Sequence, residues 1–283
     1  MPTVPDSDVR SSRRRGRRRL AGLRALVTGA SSGVGAAVAR ALAARGVRVL
    51  ATARREDRLA ALAAEGPGAS PVLWEAGDLT DPAFRRRLVA AAATRLGGLD
   101  VVVAAAGCGA VGPFRDADPA TLERVMDVDF RAPVELVRLC LPLVRESPDP
   151  AIVLVGSILA RHPLPLHAEY CAAKAALASF AACLRVECAG EGIDVLHASL
   201  GPTESEFWDA LVTGRRPPWS RGRRMPAARA AAAIVAGLER RSTELLPGWQ
   251  AKGFALAARF APGIIDALTV RHLRDARSSG GAR

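Results

Sequence analysis

The chain is expected to form one α/β domain, a doubly wound parallel sheet of about seven strands with helices on both faces. Three observations carry that expectation. Short apolar runs alternate with alanine-rich segments of helical length, the pattern of repeated β-α-β units. The first run ends in a glycine-spaced turn that leads into a helix. And 283 residues with 49% hydrophobic content suffice for a single large core, with no linker dividing it.

The strands are read at residues 25–28, 48–51, 72–75, 101–104, 152–155, 194–198 and 243–246. Ligands of such sheets bind beyond the carboxyl ends of the strands, so the residues that follow each strand are the first candidates for a site. After the first strand, Gly29-Ala30-Ser31-Ser32-Gly33-Val34-Gly35 opens the helical stretch 36–45. Its glycines allow a tight turn and a close backbone approach to a pyrophosphate, whose charge the free N–H groups and the positive helix end favour. After the second strand, Arg54 and Arg55 stand where an NAD site offers a carboxylate to the ribose 2′-hydroxyl. Guanidinium groups suit a 2′-phosphate instead, so NADP(H) is the preferred cofactor; NAD(H) is also admitted, and a solvated charge cluster is the plain alternative. After the third strand, Asp78 and Leu79 are expected beside the adenine. Asp78 would accept from the exocyclic amine or cap a helix beginning near Asp81-Pro82.

Tyr170 is the only tyrosine, and Lys174, one of two lysines, follows it by four residues. Two lysines in this length give that spacing by chance about 1 percent of the time. Four residues apart on a helix, the phenol and ammonium share one face, and the positive charge is expected to lower the tyrosine pKa from roughly 10 toward neutrality.

The net charge of +12 is unevenly placed, with eight Arg in residues 1–24, five in 215–224 and four in 271–283, and the remainder is close to neutral. Residues 1–21 are read as a basic, disordered arm, 22–250 as the domain, 251–270 as an apolar helix packed on it, and 271–283 as a basic tail. The arm admits contact with nucleic acid or an anionic membrane surface, but a solvated extension is the plainer reading. No run of about 18 apolar residues suggests a membrane span. The cysteines Cys108, Cys140, Cys171, Cys183 and Cys188 lack a Cys-x-x-Cys pair or metal-ligand spacing, which points to reduced thiols in a cytoplasmic enzyme without a bound metal.

Across residues 22–250 these features resemble the classical short-chain dehydrogenase/reductase family, whose fold is Rossmann-like. Thr28-Gly29-x-x-x-Gly33-x-Gly35 is similar to the family's cofactor loop and Asp78 to its adenine-side aspartate. Ser157, thirteen residues before Tyr170, resembles the catalytic serine; Tyr170-x-x-x-Lys174 resembles the catalytic dyad. Leu200-Gly201-Pro202-Thr203 is similar to the segment beside the nicotinamide, with leucine in place of the usual proline. The resemblance implies hydride transfer between nicotinamide and a carbonyl or alcohol carbon. Ser157 would orient the substrate oxygen, Tyr170 would exchange its proton, and Lys174 would hold the nicotinamide ribose. It also implies a homodimer or homotetramer formed through the helices spanning residues 122–144 and 170–189.

Two positions depart from the family pattern. Ala104-Ala105-Ala106-Gly107 replaces a run rich in asparagine, losing amides that would tie strands together, although Ala105 and Gly107 remain candidates for the cofactor wall. Asp129 replaces an asparagine that holds a helix distortion, and is expected either to pair with Lys174, moving the pKa values of both and of Tyr170, or only to preserve the bend. The segment 158–167, with His162 and His167, should border a greasy pocket for an apolar ketone or secondary alcohol; the histidines are read as loop packing ahead of proton carriers. Residues 206–225 are expected to form a movable lid with Phe207, Trp208 and Trp219 as apolar cover, and arginines at 215, 216, 221, 223 and 224 facing an acidic group or solvent.

Overall fold

The computed structural model describes residues 16–65, 70–209, 211–216 and 224–248, with part of a helical segment between 252 and 271. The elements are β1 (Arg24–Thr28), α1 (Gly33–Ala43), β2 (Arg48–Ala53), α2 (Glu56–Ala64), β3 (Val72–Ala76), α3 (Pro82–Ala91), β4 (Val101–Ala104) and β5 (Gly109–Ala110). There follow α4 (Pro119–Met126), α5 (Ala132–Arg145), β6 (Ala151–Ser157), α6 (Ala168–Glu187), β7 (Asp194–Leu200), β8 (Leu211–Thr213), α7 (Ala227–Glu239) and β9 (Glu244–Leu245). Seven strands pair in parallel in the order β3-β2-β1-β4-β6-β7-β9. All seven predicted strands are present, within three residues at each end. The pair β5–β8, a separate parallel mini-sheet, is additional.

The period-two geometry of strands explains how one sheet serves two cores. Ala25, Val27, Val103 and Val153 point to one face and pack with Val38 and Leu42 of α1 and Ile234 of α7. Their neighbours Leu26, Val102, Ile152 and Leu154 point to the other face, against Leu88 of α3, Leu136 of α5 and Leu177 of α6. Strand order reverses between β1 and β4, leaving a crevice at their carboxyl ends. Asp81 caps α3 by accepting from Ala83 N at 2.8 Å, with Pro82 in the first turn. The cap expected from Asp78 as one alternative is thus supplied by Asp81.

Residues 1–15 of the predicted arm lie outside the described residues, but its last part is docked. Leu20 is buried, and the Arg18 guanidinium is sealed between the Leu238 and Pro150 carbonyls and the carboxylates of Asp149 and Asp194. The domain therefore begins before residue 22. At the other end, the described residues between 252 and 271 are mainly helical, and Leu256, Phe260 and Val270 have exposed side chains. Among the described residues no helix is long and apolar enough to cross a membrane.

Candidate active site

The crevice at the switch point is a cavity of about 930 Å³. Its cofactor side begins with the turn between β1 and α1. Gly29 and Gly33 adopt φ values of +67° and +55°, the left-handed region where a side chain is strained. A Cβ on Gly35 would fall 2.3 Å from the Gly29 carbonyl oxygen. Ser32 precedes α1 without a side-chain hydrogen bond to its first turn, so those N–H groups have no side-chain acceptor. Such a cradle, with bare backbone against a helix start, fits a pyrophosphate. Ser31, Ser32, Val34, Arg54, Arg55, Leu79, Ala105, Gly107, Gly201 and Thr203 line the same cavity.

Two ties hold this wall. Thr28 Oγ1 accepts from the N–H groups of Ala105 and Ala106, each at 3.0 Å, so a β1 hydroxyl joins β1 to the end of β4, where the alanine side chains offer no polar group. Asp78 accepts from Thr80 N and Thr80 Oγ1 at 2.8 Å and from Arg124 Nη2 at 3.1 Å. Burial alone would raise the Asp78 carboxyl, but the Thr80 bonds and Arg124 hold it below the usual carboxylate range. Arg124 also lines the cavity, and the sequence reading did not single it out. It lies 46 residues from Asp78, and no local pattern joins them.

Arg55 is engaged as well. Its Nη1 donates to Glu206 Oε2 at 2.6 Å, and its Nε and Nη2 reach Ser31 Oγ at 3.3 and 3.0 Å. Glu206 begins a 3₁₀ turn, Glu206–Trp208, in the predicted lid. Its carboxyl is held low, first by the Arg55 hydrogen bond.

The candidate catalytic side chains converge at the ends of β6 and α6. Ser157, the last residue of β6, hydrogen-bonds the Tyr170 phenol and accepts from Leu159 N at 3.1 Å. One helical turn beyond Tyr170, Lys174 Nζ donates to the Val155 carbonyl at 3.4 Å and lies 3.2 Å from Asp129 Oδ1. Asp129 sits in a π-helical turn, Asp127–Arg131, which joins α4 to α5 and aims its carboxylate inward. Cys108 N donates to the same Oδ1 at 3.1 Å, while Oδ2 has no partner among the described residues. Gly107 is required here because a Cβ would lie 2.6 Å from Asp129 Oδ1.

Charge in this group runs against one expectation. Burial raises the Tyr170 phenol above its ordinary pKa; Lys174 pulls it down and Asp129 pushes it back up. Burial likewise raises Asp129, while Asp129 keeps Lys174 protonated against its own desolvation. Lys174 therefore does not bring Tyr170 toward neutrality, because the burial of the phenol, aided by Asp129, outweighs the pull of the ammonium.

The remaining wall is apolar, formed by Ile158, Leu159, Leu164, Leu211 and Val212 with Phe207 and Trp208. The Phe207 ring stands 5.3 Å from Tyr170 at 62° and 5.3 Å from Trp208 at 84°, edge-on contacts of the favoured kind. His167 is buried with Nδ1 2.9 Å from the Pro165 carbonyl; a carbonyl only accepts, so Nδ1 carries the proton. Burial lowers the pKa of both His167 and His162, which suits packing rather than proton carriage. Trp219, Arg221 and Arg223 lie outside the described residues. Arg216 lies 5.8 Å over the Trp208 ring.

The family description "short chain dehydrogenase" matches residues 24–216. A short chain dehydrogenase of Pseudocercospora fijiensis is 35% identical over 228 residues, 77% of this chain and 72% of that protein. The 11-beta-hydroxysteroid dehydrogenase 1A of Arabidopsis thaliana is 35% identical over 185 residues, 64% of this chain and 52% of its own, so the chain spans about half of that plant protein. Among solved structures, a short-chain dehydrogenase from Streptomyces avermitilis superimposes with a TM-score of 0.72 at 28% identity, covering 92% of this chain and 98% of that one.

Proposed function

Because the chain belongs to the short-chain dehydrogenase/reductase family, whose members bind NAD(P)(H) and act on CH–OH groups, we propose that it is an NADP-dependent reductase or dehydrogenase of apolar ketones and secondary alcohols. The observation that carries this reading is one cavity holding Ser157, Tyr170 and Lys174 beside a glycine cradle and two arginines. The steroid-acting relative makes a bulky apolar substrate a sensible class, and the Leu159, Leu164 and Phe207 wall suits it.

The bound nicotinamide supplies or accepts the hydride. The chain does the rest. Ser157 Oγ donates to the substrate oxygen and fixes its orientation. In reduction the Tyr170 phenol gives its proton to the oxygen as charge develops there; in oxidation the phenolate takes it back. Lys174 has three N–H donors, two directed at Asp129 and Val155, and the third is free for the ribose hydroxyls. Arg54 and Arg55 grip the 2′-phosphate. The helices α4 to α6 are assigned as the surface of a dimer or tetramer.

A second reading, an NADP(H)-binding sensor or scaffold with little turnover, is favoured by one observation, the buried pair of Asp129 with Lys174. The deciding experiment compares wild type, Tyr170→Phe and the double variant Arg54→Ala/Arg55→Ala with NADPH and NADH on a panel of apolar ketones. Tyr170→Phe is expected to lose about 10²- to 10⁴-fold in turnover while keeping NADPH affinity. The arginine variant is expected to weaken NADPH far more than NADH. Tight NADPH binding with no turnover across the panel would favour the sensor.

A further inference from the structure

We infer that Glu206 is a cofactor-selecting residue: its carboxylate occupies the seat of the 2′-phosphate, so binding of that phosphate displaces it and lifts Phe207 from Tyr170. The inference rests on the NADP reading above.

The surroundings of the carboxylate are those of a phosphate site. Arg55 donates to Glu206 at 2.6 Å, the Arg58 guanidinium lies 3.9 Å away, and Ser32 hydrogen-bonds the same carboxylate. Ser31 Oγ is held on the other edge of the Arg55 fork. Two guanidinium groups and the Ser32 hydroxyl around one anion, with Ser31 bracing the Arg55 fork, exceed what a lone carboxylate requires, but they match a dianion with three acceptor oxygens.

Glu206 reaches this place from the wrong element for a fixed ribose ligand. It belongs to the loop after β7, 151 residues from Arg55 in sequence, whereas a resident carboxylate would stand at the end of β2. Its turn is anchored at both ends. Ser205 lies against the cofactor loop, where a Cβ on Gly33 would come within 2.8 Å of Ser205 Cβ. Phe207, the next residue, covers Tyr170 and packs over Gly109, where a Cβ would lie 2.3 Å from the Phe207 ring. Ser205 and Phe207 flank Glu206 in one short turn, so a backbone shift that withdraws the carboxylate carries Phe207 with it. Displacing the carboxylate moves Phe207, and the substrate side opens when the phosphorylated cofactor is in place.

The latch is weak enough to yield. The Arg55 and Glu206 side chains are 43% and 37% exposed, and such pairs alter an equilibrium only about threefold to fivefold. A phosphate carrying nearly two charges outcompetes one carboxylate for the same donors.

The test uses the full chain, with adenosine 2′,5′-bisphosphate and adenosine 5′-monophosphate as probes and calorimetry for affinity. Trp208 emission, identified by Trp208→Phe, reports the turn. Glu206→Gln is expected to tighten the bisphosphate about threefold to fivefold and leave the monophosphate unchanged. In wild type the bisphosphate alone should shift Trp208 emission, and Glu206→Gln should show that shift without ligand. If Arg55→Ala removes the preference for the bisphosphate but Glu206→Gln does not alter it, displacement is wrong and the NADP reading stands. Weaker monophosphate binding in Glu206→Gln would make the carboxylate a ribose ligand and overturn displacement. Should Arg55→Ala leave the preference intact, the NADP reading fails and the inference falls with it.

Discussion

At the scale of single residues, Asp129 governs the protons of its neighbours without touching the substrate cavity. Burial first, and then Asp129, raise the Tyr170 phenol against the pull of Lys174, so the phenol stays protonated through neutrality. Reduction needs that proton, so the rate should hold through neutral pH and fall only as pH rises through the raised Tyr170 pKa. Replacing the acid by Asn removes one of the charges that raise Tyr170, and the alkaline limb of the kcat/KM profile should move to lower pH. Alcohol oxidation, which needs the phenolate, should gain near neutrality in the same variant; an unmoved profile would remove Asp129 from the coupling. His197 offers a second titration. Burial first, then Arg161 and Lys174, lower its pKa to about 4, and its Nε2 has no partner among the described residues. The unfolded chain binds this proton from about pH 6.5 downward. Stability is therefore complete above that pH and should fall by about 3 kcal/mol as pH drops to about 4. Urea midpoints across this range, steep in wild type and flatter in His197→Gln, would check it.

Among the elements, the end of β4 shows how a missing tie is replaced. Thr28 Oγ1 accepts two N–H groups that the alanines cannot serve with side chains of their own. Thr28→Val, close in shape, leaves two half-buried donors without their acceptor and should cost about 2 kcal/mol. For a chain of this size that corresponds to a Tm lower by about 4–8 °C, readable by calorimetry. The seven main strands were legible because each falls in a short run rich in apolar residues that a turn or polar residue ends. The glycine turn and the Tyr170–Lys174 spacing were legible for the same reason: they are local. The mini-sheet was not. Gly109–Ala110 has only two residues and pairs with Leu211–Thr213, a hundred residues on. Likewise Arg124 meets Asp78 and Glu206 meets Arg55 only after folding, and sequence spacing carries no sign of either. The same holds for Asp129: its substitution was visible, but the depth of burial that turned the Tyr170 pKa upward was not.

On the scale of the whole molecule, the two ends of the sheet divide the work. The carboxyl ends of the strands hold the cavity, whereas the amino ends hold ion pairs that include Arg24 with Asp100, and Arg18 with Asp149 and Asp194. The Arg18 side chain is fully buried, and Arg241 shares both of its carboxylates. Arg18→Met should cost about 2–4 kcal/mol, less than a wholly enclosed pair because the two acids are partly exposed and keep Arg241. A chain beginning at residue 22 should melt measurably below one beginning at residue 16; equal melting temperatures would show that Arg18 contributes nothing. About 20 Å of β6 separates the two ends, far enough for substitutions at each to add independently. The docked N-terminal segment thus gives the enzyme a reserve against mutation. Changes that reshape the substrate wall can accumulate while the opposite rim keeps the sheet above its threshold for folding, and selection for new substrates can begin without first finding new stability.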